Sequence, residues 1–199
     1  MTALSRVALL APVALVASLA GCTSVPSDAP TGAAPITSTS TPEQTQAAPV
    51  FEQPQDCESV VPQSRLDEFV DLGLILLGGP GGKYGTEYQL EPTPEEQVGG
   101  ITCIWGFDES DISSVTISVA PLSADVRAQA LDSFATQGLE ETLTENRASY
   151  GTAGSDNLPA ITNVLRDDSW ISVIKTVGGD DSYSNAIEIS AEVAATVYR

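Results

Sequence analysis

The sequence contains no histidine, only 8 lysine and arginine residues, and 6% aromatic residues. The absence of histidine removes the commonest general base and metal ligand, and every arrangement that pairs an imidazole with a serine or cysteine nucleophile. The shortage of cationic residues leaves most of the 27 aspartate and glutamate residues unbalanced, with a formal net charge of −19 at pH 7. This charge argues against nucleic acid and against electrostatic adhesion to anionic lipid.

The chain also lacks an uncharged apolar run of the roughly 20 residues that a membrane-spanning helix needs. Its N-terminal apolar run, residues 7–20, has 14 residues and follows Arg6. This length and the preceding positive charge are typical of the hydrophobic core of a signal peptide.

Leu19-Ala20-Gly21-Cys22 closes this run. The apolar core and these four residues together resemble the lipobox of bacterial lipoprotein precursors. The resemblance implies that the Cys22 thiol receives a diacylglycerol group and that a peptidase removes residues 1–21. Because two acyl chains hold a protein on a membrane far better than one, we expect a stable anchor on the outer face of the cytoplasmic membrane. The alternatives are an ordinary cleaved signal peptide with a chance cysteine and a transmembrane anchor.

Residues 22–54 are rich in Ser, Thr, Pro and Ala and contain almost no large apolar side chains. Such a segment cannot bury enough apolar surface to offset its ordering entropy, and its prolines favour extended backbone. We expect a disordered tether, for which an O-glycosylated stalk is the alternative. Residues 55–199 remain for a single folded domain.

The sequence has three cysteines. With Cys22 assigned to lipid, Cys57 and Cys103 form an even pair in an oxidising compartment, which predicts one structural disulfide. A zinc site is disfavoured because two cysteines without histidine do not complete the usual ligand set. A thioredoxin-like redox role is disfavoured because the two cysteines do not form a C-x-x-C motif.

Hydrophobic periodicity and turn residues predict the elements of the folded part. In chain order they are a helix at 62–77, strands at 101–107 and 115–119, a helix at 123–137, strands at 158–166 and 169–177, and a helix at 184–198 with Ile187, Ala191, Ala194 and Ala195 on one side. Residues 78–96 are expected to be a loop with a short extended piece near 84–90, and residues 139–154 stay unassigned. Hairpins separated by helices predict an α+β fold, an antiparallel sheet with helices packed on one face in two layers.

No catalytic residue, metal ligand or cofactor site is predicted. Glycine-rich residues 78–83 follow a predicted helix and lack the Gly-Lys-Ser/Thr ending of a phosphate-binding loop. The acidic turns at 108–111 and 180–181 lack EF-hand spacing, so solvated turns are expected rather than calcium sites. Abundant carboxylates leave open a hydrolase that uses two of them.

Cys57, a helix that ends at Leu77-Gly78, the segment Cys103-Ile104-Trp105, and an alanine-rich C-terminal helix together resemble small actinobacterial lipoproteins. In outline they are also similar to extracellular sensor domains of bacterial Ser/Thr kinases. The resemblance implies no catalytic residues. The expected function is therefore non-enzymatic binding, sensing or an accessory role at the cell envelope, with an unidentified envelope protein or small ligand as partner. The alternative is an envelope hydrolase.

Overall fold

The computed structural model describes residues 48–110, 112–144 and 147–199. Cys22, the expected signal peptide and the tether up to residue 47 lie outside the described residues. The elements are α1 (Gln63–Asp71), β1 (Leu74–Gly78), a 3-10 turn (Gly85–Tyr88), α2 (Pro94–Gln97), β2 (Ile101–Phe107), β3 (Ile112–Pro121), α3 (Ala124–Gln137), β4 (Glu140–Thr144), β5 (Arg147–Thr152), β6 (Ala160–Leu165), β7 (Ser169–Lys175) and α4 (Asp180–Val197).

The strands form one seven-stranded sheet in the order β1-β2-β3-β7-β6-β5-β4. All neighbouring strands are antiparallel. A three-stranded meander, β1 to β3, and a four-stranded meander, β4 to β7, join where β3 pairs with β7. The expected α+β class and antiparallel sheet are confirmed.

Helices cover both faces of the sheet centre, whereas one covered face was expected. On one face, Ile171 of β7 belongs to the same buried cluster as Phe69 of α1 and Ile189 of α4. On the other face, Trp170 of β7 clusters with Phe134 of α3. Because successive strand residues point to opposite faces, burial of both Trp170 and Ile171 requires cover on both sides. The sheet is therefore the middle of the domain.

The expected disulfide is confirmed, since the Cys57 and Cys103 sulfur atoms lie 2.10 Å apart. It ties the segment before α1 to β2. Gly79 passes directly over this bond with φ +99°, and a Cβ there would lie 2.3 Å from the Thr102 carbonyl oxygen. Only glycine fits at this position without moving the backbone.

Arg65 joins α1 to α4 through a buried guanidinium that is only 4% exposed. Its Nε and Nη2 atoms donate to the two carboxylate oxygens of Glu192 at 2.7 and 2.8 Å, and Nη1 donates to Glu68 at 2.5 Å. The hydrogen bond with Glu192 is the main reason that the pKa of Arg65 is raised. A planar guanidinium can make this two-pronged contact, while a lysine cannot.

We expect Arg65→Met to lower the free energy of unfolding by about 1–3 kcal/mol, because the variant loses charged hydrogen bonds between two helices. The loss stays below that of a fully buried pair because the Glu192 side chain is 29% exposed and regains water. Urea denaturation measures the change. The matched control is Glu188→Gln, whose carboxylate is 3.5 Å from Arg65 and 64% exposed, and which should cost under about 0.5 kcal/mol. Equal losses in both variants would contradict this assignment.

The helix expected at 62–77 is wrong in its second half. The helix ends at Asp71, Gly73 adopts a left-handed conformation with φ +73°, and Leu74–Gly78 forms β1. Leu74, Leu76 and Gly78 pair across β1 and β2 with Phe107, Trp105 and Ile104. A short apolar run is compatible with either a helix or a strand. Here the run forms a strand because its backbone pairs with the edge of β2.

Three other segments also differ from expectation. The region near 84–90 forms a 3-10 turn rather than an extended piece, and Pro94–Gln97 is helical. The unassigned region 139–154 forms the hairpin of β4 and β5. Helix α4 begins at Asp180, and its buried side carries Ala186, Ile189, Ser190, Val193, Ala194 and Val197, while Ile187 is 41% exposed.

The remaining elements are confirmed. Strands occur where 101–107, 115–119, 158–166 and 169–177 were predicted, with small differences at their ends. Helix α3 begins after Ser123, whose side chain accepts a hydrogen bond from the Val126 amide, and ends at Gly138 with φ +71°. At the N-terminal side, Val50 and Glu52 already hydrogen-bond to the C-terminal segment, ahead of the expected domain start at residue 55.

Candidate functional site

A row of polar side chains crosses the sheet on the face that carries α2 and α3. Thr102, Ser118, Ser172 and Asn163 stand opposite one another on β2, β3, β7 and β6. Each of the four residues is at most 4% exposed. Burial of polar groups costs free energy unless they are hydrogen-bonded, so this row marks a place where the core departs from simple apolar packing.

Hydrogen bonds between side chains satisfy much of this row. The Thr102 and Ser118 hydroxyl oxygens are 2.9 Å apart, and the Thr93 hydroxyl lies 2.7 Å from that of Thr102. At the other end, Trp170 Nε1 donates to Asn163 Oδ1 at 2.9 Å. These contacts hold the side chains in one orientation. A ligand that binds here does not have to order them, which lowers the free-energy cost of binding.

Helix α2 brings a carboxyl group over this row. Thr93 begins the helix with a capping box, in which its side chain accepts from the Glu96 amide and the Glu96 carboxylate accepts from the Thr93 amide. Pro94 occupies the first turn, where a missing N–H is tolerated. This local geometry directs Glu95 inward, so that it is 5% exposed while the neighbouring residue Glu96 remains at the helix end.

Burial raises the pKa of the Glu95 carboxyl above its ordinary value, because desolvation disfavours the charged form. Hydrogen bonds with the backbone of Glu95 itself, then with Ser172 and Thr93, favour the carboxylate and partly oppose this effect, while the charge of Glu96 adds to it. In the described part of the chain, the groups that act on Glu95 include hydrogen-bond donors and a second acid, but no cationic side chain. Glu95 is therefore a buried acid held by neutral hydroxyl groups.

The space beside Glu95 is a cleft between α2 and α3, floored by the sheet. Its main cavity has a volume of about 240 Å³. The residues that line this cavity include Glu95, Ser118, Phe134, Asn163, Trp170 and Ser172. A second cavity of about 200 Å³ continues past Trp170 along α3, so the cleft extends beyond the polar row.

Aromatic rings form the firm wall of the cleft. The Phe134 ring meets the Trp170 ring edge-on, with centroids 5.7 Å apart, and also contacts the ring of Tyr150 at 5.2 Å. Phe134 and Trp170 are at most 5% exposed. Because Trp170 is also hydrogen-bonded to Asn163, its orientation is fixed from two directions. The cleft is thus largely pre-formed, as small-molecule sites usually are.

The residues that the sequence analysis considered lie away from the cleft. Cys57 and Cys103 belong to the cluster under α1 and α4, on the opposite face of the sheet from the cleft. Lys83 of the glycine-rich segment contacts the Asp108 carboxylate at 2.7 Å. The described residues contain no group of three or more His, Cys, Asp or Glu side chains placed to hold a metal ion. None of the helices in the described part of the chain has the length and apolar character that a bilayer span requires.

The sequence analysis did not identify the cleft. Thr102, Ser118 and Ser172 alternate with apolar residues, and this pattern is ordinarily that of a strand with one solvated face. The available signal was the pair Thr93 and Glu96, whose spacing is that of a capping box and predicts the short helix that covers this face. The capping box does not indicate which face of the sheet this helix covers, so the burial of the polar positions could not be read from it.

We expect Glu95→Gln to change how stability depends on pH. Because the pKa of Glu95 is raised, the folded wild type loses stability as pH rises from the ordinary value of 4.5 through the raised value. One proton gives a slope of at most about 1.4 kcal/mol per pH unit. The variant lacks this loss, so its stability relative to wild type should increase across that window and level off above it. Urea denaturation from pH 3.5 to 8 measures the difference, and a pH-independent difference would contradict the burial of this acid.

No protein-family model matches this sequence, and no similar protein was found among curated sequences or solved structures.

Proposed function

We propose that the protein is a lipid-anchored binding domain on the extracytoplasmic face of the cell membrane, and that it holds a small ligand in the α2–α3 cleft without transforming it. The observation that carries the binding proposal is the fixed row of buried polar side chains beside Glu95, open to a cavity of about 240 Å³. A domain that only needed stability would gain more from apolar residues at these positions.

The anchor is supported by Leu19-Ala20-Gly21-Cys22 and by the segment that follows it. Residues 22–47 would reach roughly 90 Å if fully extended. They lead to Val50, whose amide donates to the Arg199 carbonyl oxygen at 2.8 Å. A lipidated Cys22 would therefore hold the domain near the membrane while leaving it free to meet ligands or envelope proteins.

The alternative is an envelope hydrolase that uses two carboxylates. Such enzymes place two carboxyl groups roughly 5–10 Å apart on either side of the bond that is cleaved. The main cavity is lined by one carboxyl group among the described residues, that of Glu95. The adjoining Glu96 carboxylate accepts from the Thr93 amide at 2.8 Å. This arrangement favours binding over hydrolysis.

The cleft proposal is tested with the mature chain in detergent micelles, by recording the indole N–H resonances of Trp170 and Trp105. The probes are millimolar 1-butanol, butyramide, butylammonium and butyrate. At least one probe should shift Trp170, which lines the cleft. Trp105 contacts Phe69 under α1 and lines a separate cavity on the other face of the sheet, so its resonance reports binding at that second place. If all four probes leave Trp170 unchanged, the cleft is not a ligand site.

A further inference from the structure

We propose that the cleft takes an organic ammonium compound, with the cationic nitrogen at Glu95 and the carbon skeleton against Phe134 and Trp170. This inference rests on the proposed ligand-binding role of the cleft and names the class of its ligand.

Glu95 has no counter-charge among the described residues around it. Its hydrogen-bond partners Ser172 and Thr93 are neutral, and Glu96 is an acid. Of the residues that the structure describes, those lining the two cavities of the cleft include no lysine or arginine. An ionised carboxyl group that is 5% exposed is costly without a cation. A ligand ammonium group supplies that cation, so binding removes a cost that the empty cleft carries.

The cleft offers several hydrogen-bond acceptors beside Glu95. An ammonium group has three donors and no acceptor. Around Glu95 the hydroxyl oxygens of Ser172 and Ser118 line the same cavity and offer lone pairs in addition to the carboxylate. An anionic ligand would meet the Glu95 carboxyl group with no cationic partner in this lining. The polar groups of the cleft therefore match a donor-rich cation and disfavour a carboxylate or phosphate.

The aromatic wall of the cleft suits a cation that carries a carbon skeleton. The faces of indole and phenyl rings attract cations, and their area also shields the carbon skeleton of a ligand from water. Phe134 and Trp170 supply these rings, and Ile161 and Ile174 add apolar surface to the same cavity. A volume of about 240 Å³ admits an amine with a short carbon chain.

The negative charge of the whole chain also favours a cationic ligand. A formal net charge of −19 produces a negative potential that concentrates cations near the surface and repels anions. This field does not discriminate among amines. It raises their encounter rate with the cleft, while Glu95 and the aromatic rings provide the specific contacts.

The test compares three probes of similar size with the mature chain in detergent: butylammonium, 1-butanol and butyrate. Each is titrated while the Trp170 indole N–H is followed, and the Trp105 indole N–H separately reports any binding in the cavity under α1 that it lines. We expect butylammonium to bind about tenfold more tightly than 1-butanol, as a charged hydrogen bond requires, and butyrate to bind least. Glu95→Gln should reduce the preference for butylammonium over 1-butanol to about twofold or less.

Glu96→Gln is the matched control, since it removes the same charge one residue away and glutamine preserves the capping box. It should keep the preference for butylammonium. If Glu96→Gln and Glu95→Gln reduce that preference equally, the effect is general electrostatics and the inference is overturned.

The outcomes separate the inference from the function on which it rests. If 1-butanol shifts Trp170 and butylammonium binds no more tightly, the ligand class is wrong and the binding cleft stands. If no probe shifts Trp170, the cleft itself is not a ligand site. If Glu95→Gln lacks the Trp105 resonance of the folded chain, the ranking of the three probes on wild type decides the ligand class.

Discussion

Cys22→Ala is expected to move the protein from the membrane to the soluble extracytoplasmic fraction. The physical reason is the size of the anchor, since each buried methylene of an acyl chain contributes about 0.8 kcal/mol and a diacylglyceryl group brings two chains. Without it, a chain of net charge −19 has no electrostatic attraction to an anionic membrane. The effect should be close to complete rather than a partial shift.

The measurement is fractionation followed by detergent phase partition of wild type and variant. Cys57→Ala combined with Cys103→Ala is the matched control, because it removes cysteines that belong to the disulfide and leaves Cys22 in place. The control should remain with the membrane. Tight membrane association of Cys22→Ala protein from which residues 1–21 have been removed would refute lipid attachment at this residue.

Removing the disulfide should cause the largest loss of stability. The Cys57–Cys103 bond spans a sequence separation of 46 residues. In the chain-entropy account, closing a loop of this length restricts the unfolded chain by about 4 kcal/mol, and native disulfides of small secreted domains contribute about 2–5 kcal/mol. Both cysteines are fully buried, so their replacement also leaves unfilled volume in the core.

Urea denaturation of the Cys57→Ala and Cys103→Ala double variant should therefore give a free energy of unfolding about 2–5 kcal/mol below that of wild type. Cys22→Ala, measured under the same non-reducing conditions, should unfold like wild type because it leaves the disulfide intact. A loss below about 1 kcal/mol in the double variant would show that this bond contributes little to the fold.

Elements with strong local signals were predicted well from the sequence. Helix α3 has a capping serine, Ser123, and a terminating glycine, Gly138, and these contacts lie within the helix and its ends. The β6–β7 hairpin was predicted because alternating strands flank a turn at Asp167 and Asp168. In each case the residues that determine the structure are close in sequence, so periodicity and end signals suffice.

Elements that depend on distant partners were predicted poorly. Leu74–Gly78 has the spacing of a helix, but it pairs with β2 because Gly73 turns the chain back along that strand. Strands β4 and β5 at the far edge carry weak patterns, and Leu143 is 71% exposed. Propensity and pattern are weak where pairing with another strand decides the outcome.

The cleft required knowledge of which faces are covered. The alternation at Thr102 and Ser118 shows that the two faces of the sheet differ, but it does not show that α2 and α3 cover the polar face. That cover places Glu95 against Ser172 across 77 residues of sequence. A contact of this kind depends on the whole topology and leaves no local trace in the sequence.

Central to the proposed binding role is a buried acid in the cleft, Glu95, that has no cationic partner among the described residues. The most direct test is a titration of the Glu95 side-chain carboxyl carbon by ¹³C resonance in uniformly labelled mature protein. The signal is assigned by its absence in Glu95→Gln. We predict a midpoint above the ordinary value of 4.5, because desolvation outweighs the hydrogen bonds from Ser172 and Thr93. A midpoint at or below 4.5 would contradict the claim, since it would require a compensating positive charge or open access to water at Glu95.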